Sequence, residues 1–181
     1  MPAAKTGFLA GGIAVLVALL VLRIASEILI PFNFLLDFIA DSVIRQMLKL
    51  PDIFADFIFS STNPFRTVVP FIVLGYIIIG GVLGVWANVG GPAQMQPRAI
   101  AGGAILFFIS FGIVFTAGGH YANYHLIELL IGLAVSFLAF AITLRWLLAP
   151  GEQPVKWPLA GLLALISLGF IVGEVWLDNP L

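Results

Sequence analysis

The sequence predicts an all-α integral membrane protein, a single membrane domain over residues 1–181, and three observations lead there. First, 61% of the residues are hydrophobic and only 9% are charged, with a mean hydropathy of +1.14. A soluble domain carries about 25% charged residues, so this chain has too little polar surface to cover a water-exposed globule. Second, five apolar runs stand between short breaks: Gly7–Ile30, Thr67–Asn88, Ala99–Ala117, Leu126–Leu148 and Trp157–Trp176. Each has the roughly 20 residues that an α-helix needs to cross about 30 Å of hydrocarbon. Third, alternating strands of about 10 residues are absent, which leaves helices as the only way to satisfy backbone polar groups in lipid.

The first run begins after Lys5 and continues past the 7–15 residues of a signal-peptide core, so it reads as an uncleaved helix stopped by Pro31. Arg23 and Glu27 lie four apart on it and share a face near its end, as an interfacial ion pair would. Residues 32–65 then form an amphipathic interfacial segment. Asp37, Asp41, Arg45 and Lys49 recur at every fourth position as one charged stripe, with Phe34, Phe38, Ile39 and Val43 on other faces. Such a helix lies in the membrane plane rather than across it. Pro51 divides this segment, and Ser60–Pro64 turns the chain into the second run.

The second run holds Gly80 and Gly84, and the fifth holds Gly169 and Gly173. Both are small-xxx-small pairs that allow close helix packing. Gly7 and Gly11 repeat the spacing in the first run. The link from Val89 to Arg98 is rich in Gly and Pro and reads as a loop. Trp157 and Trp176 bracket the last run, as interfacial aromatics do. With the N-terminus inside, Lys5, Arg98, Arg145 and Lys156 all fall on the cytoplasmic face, and Glu128, Glu174 and Asp178 fall outside.

Chemistry is thinly represented. There is no cysteine, which excludes disulfides and thiolate ligation. The net charge of −1 gives no basis for nucleic-acid binding. The one constellation worth naming is His120, Tyr121, Tyr124, His125 and Glu128, at the entry to the fourth run. A His three residues before a carboxylate shares its helical face and suits quinone contact or proton relay; the alternative is polar decoration of a wet turn. Both histidines fall in one turn, against bis-His haem ligation, and no further ligands complete a zinc site, so no metal is expected. Phosphate loops, zinc-protease helices and nucleophile elbows are missing, and no span carries several central ionisable groups.

The order of elements resembles the N-terminal membrane region of bacterial membrane-anchored molybdopterin oxidoreductases of the sulfite-oxidase type. The matching stretches are Gly7–Leu22, Phe32–Phe59 with its Pro51 break, and Pro70-Phe71 followed by Gly75, Gly80 and Gly84. In that family a catalytic domain follows the last span, whereas this sequence ends five residues beyond Trp176, so no cofactor-binding residue carries over. The resemblance implies the membrane half of a redox system in a bacterial plasma membrane. The expectation is a non-catalytic accessory subunit, N-terminus cytoplasmic and C-terminus outside, partnered by other membrane subunits and by lipid. Quinone or lipid would sit at the partner interface, and no cofactor would be bound by this chain alone. A quinone-contacting subunit and a small transporter or channel are the alternatives.

Overall fold

A computed structural model describes residues 3–29, 40, 43–46, 64–117, 126–151 and 155–176. Its long elements are five helices: α1 (Ala3–Leu29), α2 (Pro64–Val89), α3 (Gly91–Ala117), α4 (Leu126–Leu148) and α5 (Lys156–Trp176). Each is long and apolar enough to cross a membrane. Among the described residues there is no strand.

Helices α1 to α4 form a ring in which each packs on the next and α4 closes back on α1; α5 lies outside the ring against α1 and only brushes α2. Side-chain contacts fix the directions. Asn88 Nδ2 donates to the Ala3 carbonyl at 2.7 Å, so α1 and α2 are antiparallel. Tyr76 meets Ser110, and Arg98 reaches back to Trp86, which makes α2 and α3 antiparallel as well. Gly103 lies against Phe137, and Gly102 against Phe140, giving the same relation between α3 and α4. The bundle therefore has one end carrying Lys5, Arg98, Arg145 and Lys156 and another carrying Arg23, Arg66 and, in the first turn of α4, Glu128.

Helix α1 is the most enclosed, with 61% of its spanning window buried against 22% for α5. Ala10, Ala14, Val15, Ala18, Leu19 and Leu22 all sit in the core, a stripe at helical spacing that faces its neighbours. Large apolar side chains such as Phe71, Ile78, Phe108, Phe115, Ile142 and Leu165 point outward and are exposed. In water that surface would drive aggregation; against acyl chains it is already solvated.

Helix α3 begins eight residues earlier than the run from Ala99 suggests, absorbing what reads as a Gly/Pro loop. Pro92 falls in the first turn, where the missing N–H has no intrahelical partner to lose. Pro97 comes in the second turn on the exposed side, so its cost is confined to one helical bond near the helix start. Gly90 is the single residue between α2 and α3, and Gly91 adopts φ 73°, a conformation that favours glycine. Of the amphipathic segment, residue 40 and residues 43–46 are described and helical. Ala40 and Ile44, one turn apart, are buried, Ile44 against Val68 at the start of α2, while Arg45 is exposed. Asp37, Asp41 and Lys49 lie outside the described residues.

Candidate functional site

Gly80 and Gly84 of α2 are taken up inside the chain. A Cβ at Gly7 would stand 2.8 Å from the Gly84 carbonyl oxygen, and one at Gly11 would stand 2.7 Å from the Gly80 carbonyl carbon. The reciprocal positions are as tight: a Cβ at Gly80 would lie 2.8 Å from the Gly11 oxygen, and one at Gly84 2.8 Å from Gly11 Cα. Four glycines thus let two antiparallel backbones touch, a geometry that brings Cα–H groups onto carbonyl oxygens. Gly169 and Gly173, by contrast, have nothing within 4 Å of where a Cβ would stand, and the same holds for Gly161 one side of the same helix further back.

Buried hydroxyls join the other helices. Ser136 Oγ on α4 donates to the Ala18 carbonyl at 2.7 Å, and Ser167 Oγ on α5 donates to the Leu16 carbonyl at 2.6 Å. Two helices therefore grip α1 at carbonyls two residues apart. On the far side of the ring, Ser110 Oγ donates to the Leu106 carbonyl at 2.8 Å within α3. That uses its only proton, so the Tyr76 hydroxyl, 2.5 Å away, is the donor to Ser110. Sequence reasoning missed all four residues. Their signal was a lone hydroxyl within an otherwise apolar stretch, which by itself does not tell an interhelix bond from a back-bond.

At the Lys5 end, cations close helix C-termini. Arg98 Nη1 donates to the Trp86 carbonyl at 2.8 Å, and its guanidinium lies 5.3 Å from the Trp86 ring centroid. Gly90 makes room for it, since a Cβ there would meet Arg98 Cζ at 2.6 Å. Lys156, buried, donates to the carbonyls of Ala149 at 2.9 Å and Gly151 at 3.4 Å, closing the end of α4. Carbonyls left over at a helix C-terminus, with the negative end of the dipole, favour such partners.

Of the proposed quinone or proton constellation, Glu128 is described: it is half-buried in the first turn of α4, where a carboxylate meets the positive end of the helix dipole. His120, Tyr121, Tyr124 and His125 lie outside the described residues. Arg23 is half-buried on α1; the side chains of Glu27 and Glu174 lie outside the described residues. No group of three or more His, Asp or Glu suited to a metal occurs among the described residues.

Two apolar grooves open on the bundle surface. One, of about 270 Å³, runs between α2 and α5 and is lined by Pro70, Leu74, Ile77, Leu168 and Val172 among others. The second, of about 340 Å³, runs between α3 and α4, with Gly103, Ala104, Ala134 and Ala141 low in it and Phe108 and Leu138 at its rims. Neither is lined by an ionisable side chain.

Comparison with protein-family models, with curated proteins and with solved structures gave no match to this chain.

Proposed function

We propose that this chain is a non-catalytic integral membrane subunit that acts by contact, packing its outer helices against larger partners in a membrane complex. The observation that supports it is the fate of the buried hydroxyls. Tyr76, Ser110, Ser136 and Ser167 all close helix–helix contacts inside the bundle, and none lines either of the two grooves described above. Proton and ion pathways in membranes are instead marked by inward-facing ionisable groups and wet cavities. Helix α5 adds to this reading, because its outward Gly169 gains nothing from lipid and costs up to about 1 kcal/mol of helix propensity relative to alanine.

The electron-transfer setting and the bacterial plasma membrane rest on the resemblance to the membrane region of molybdopterin oxidoreductases. A cytoplasmic N-terminus is favoured by the gathering of Lys5, Arg98, Arg145 and Lys156 at one end of the bundle. Purification in a mild detergent tests the proposal. Larger membrane polypeptides should accompany the chain in fixed stoichiometry, and liposomes holding the chain alone should show no ion or solute flux. A monodisperse monomer with transport activity would overturn it.

A further inference from the structure

We infer that the groove between α3 and α4 binds one anionic phospholipid, with an acyl chain lying over Ala104 and Ala134 and the phosphate held by Arg145. The groove is lined by apolar side chains alone, so its contents are hydrocarbon. Its lining on α3 runs from Ile100 to Phe108, eight residues or about 12 Å at 1.5 Å per residue. The groove lies about the middle of both helices; on α4 it begins one turn from Arg145 and ends at Ala134, about 17 Å from it along the helix, a depth that one acyl chain spans from a headgroup at that end. It is also too short for a partner helix, which would pack along a whole crossing and meet the projecting rims of Phe108 and Leu138 first.

The head of the groove carries the charge. Ala134, Leu138 and Ala141 line it from α4, and Arg145 continues that same face one turn beyond Ala141. The register set by Gly103 against Phe137 brings Gln96, an exposed amide on α3, level with Arg145. Arg98 and Lys156, the other cations near that end of the groove, are already held by carbonyl oxygens, whereas the Arg145 side chain is exposed. A guanidinium at the interface next to Trp146 is a fitting partner for a phosphodiester, which it can grip through two parallel N–H donors. Apolar groove and cation together select an anionic lipid over a zwitterionic one and over a partner helix.

The test is native mass spectrometry of the full chain released from nanodiscs holding equal amounts of phosphatidylglycerol and phosphatidylcholine. The wild type should retain one phosphatidylglycerol, with about a tenfold preference, the scale of one charge-assisted hydrogen bond. Arg145→Gln should bring that preference close to one. Ala104→Leu with Ala134→Leu should fill the groove and abolish retention; both alanines face outward, so the bundle interior is untouched. Gly75→Leu on α2, where a Cβ would meet nothing within 4 Å, is the matched control and should retain lipid as the wild type does. Equal retention of the two lipids by the wild type, or unchanged retention by the filled groove, would overturn the inference. So would loss of a co-purifying polypeptide, with lipid unchanged, on filling the groove.

Discussion

Substituting Gly11 by alanine should separate the two most intimately packed helices of the bundle. The new Cβ would sit 2.7 Å from the Gly80 carbonyl carbon and 3.1 Å from Gly81 Cα, and closer still to the Gly80 oxygen. These are backbone atoms, so no side chain can rotate away. Restoring an ordinary carbon–oxygen separation of about 3.3 Å from the Gly80 carbonyl requires a shift of more than about 1 Å, and a gap of that size forfeits about half or more of each neighbouring van der Waals well. Overpacking of this kind costs about 1–3 kcal/mol, and each lost Cα–H···O contact adds about 0.5–1 kcal/mol. Alanine returns up to about 1 kcal/mol in helix propensity, leaving a net loss of about 1–3 kcal/mol. Two other glycines calibrate the scale. A Cβ at Gly12 would lie 3.4 Å from the movable Ile77 Cγ2, and one at Gly75 would meet nothing within 4 Å. Unfolding by SDS in mixed micelles should rank Gly75→Ala at or above the wild type, Gly12→Ala near it and Gly11→Ala well below. If Gly11→Ala proves as stable as Gly75→Ala, the glycine contact between α1 and α2 is not what holds that pair.

The Tyr76–Ser110 pair predicts an asymmetry: Ser110→Ala strands a buried phenol and should cost about 1–3 kcal/mol, whereas Tyr76→Phe leaves Ser110 bonded to Leu106 and should cost under about 1 kcal/mol in the same assay. Equal losses would contradict the donor assignment. Ser136→Ala and Ser167→Ala should each cost about 0.6 kcal/mol, and the double variant about their sum, because the α1 carbonyls keep their intrahelical bonds; a loss above about 3 kcal/mol in either single variant would assign these serines another task. Arg98→Gln should lower stability by about 1–2 kcal/mol through loss of the charged cap and the Trp86 face, read by thermal unfolding in detergent; an unchanged midpoint would remove the cap from the account. Because the chain has no native cysteine, single-cysteine variants report topology cleanly. An impermeant maleimide should label Ile127→Cys in intact cells and Lys5→Cys only after permeabilisation, and the opposite pattern would reverse the proposed orientation.

The number, length and order of the helices were legible because the bilayer imposes a requirement that about twenty consecutive residues must all meet. The α2–α3 turn was not, since Pro92 and Pro97 signal a break only if they lie beyond the first turns of a helix, and here α3 starts ahead of both. Glycine spacing was visible in three spans, yet it could not say which pairs would meet inside the chain. Gly7 and Gly11 find Gly84 and Gly80 because antiparallel register aligns them in reverse order, while Gly169 and Gly173 on the same spacing face outward. The capping work of Arg98 and Lys156 was hidden for a similar reason. A cation near a span end reads as a topology signal, and only the fold reveals which carbonyl it reaches.

The position of α1 explains why so apolar a bundle needs the few polar and small residues it has. Lipid is as apolar as leucine, so burying Leu19 or Leu22 against another helix gains little over leaving it among acyl chains. What distinguishes correct neighbours is contact that lipid cannot match: backbone touching backbone at Gly7, Gly11, Gly80 and Gly84, and hydroxyls bonded to the Leu16 and Ala18 carbonyls. The glycine contacts lie in the first half of α1 and the two bonded carbonyls further along it, so α2, α4 and α5 are held at different points of the helix. Helix α3 completes the ring through α2 and α4 instead, using the Tyr76–Ser110 bond and Gly103. Among the described residues, nothing comparable occupies the outward glycines of α5. A helix outside the ring, joined to α1 through Ser167 and exposed at Gly169, is the element best placed to change partners, so loss of Gly169 should disturb assembly while leaving the isolated bundle intact. Gly169→Leu tests this directly: reduced recovery of partner polypeptides at unchanged unfolding stability is expected, and full recovery would free α5 from that role.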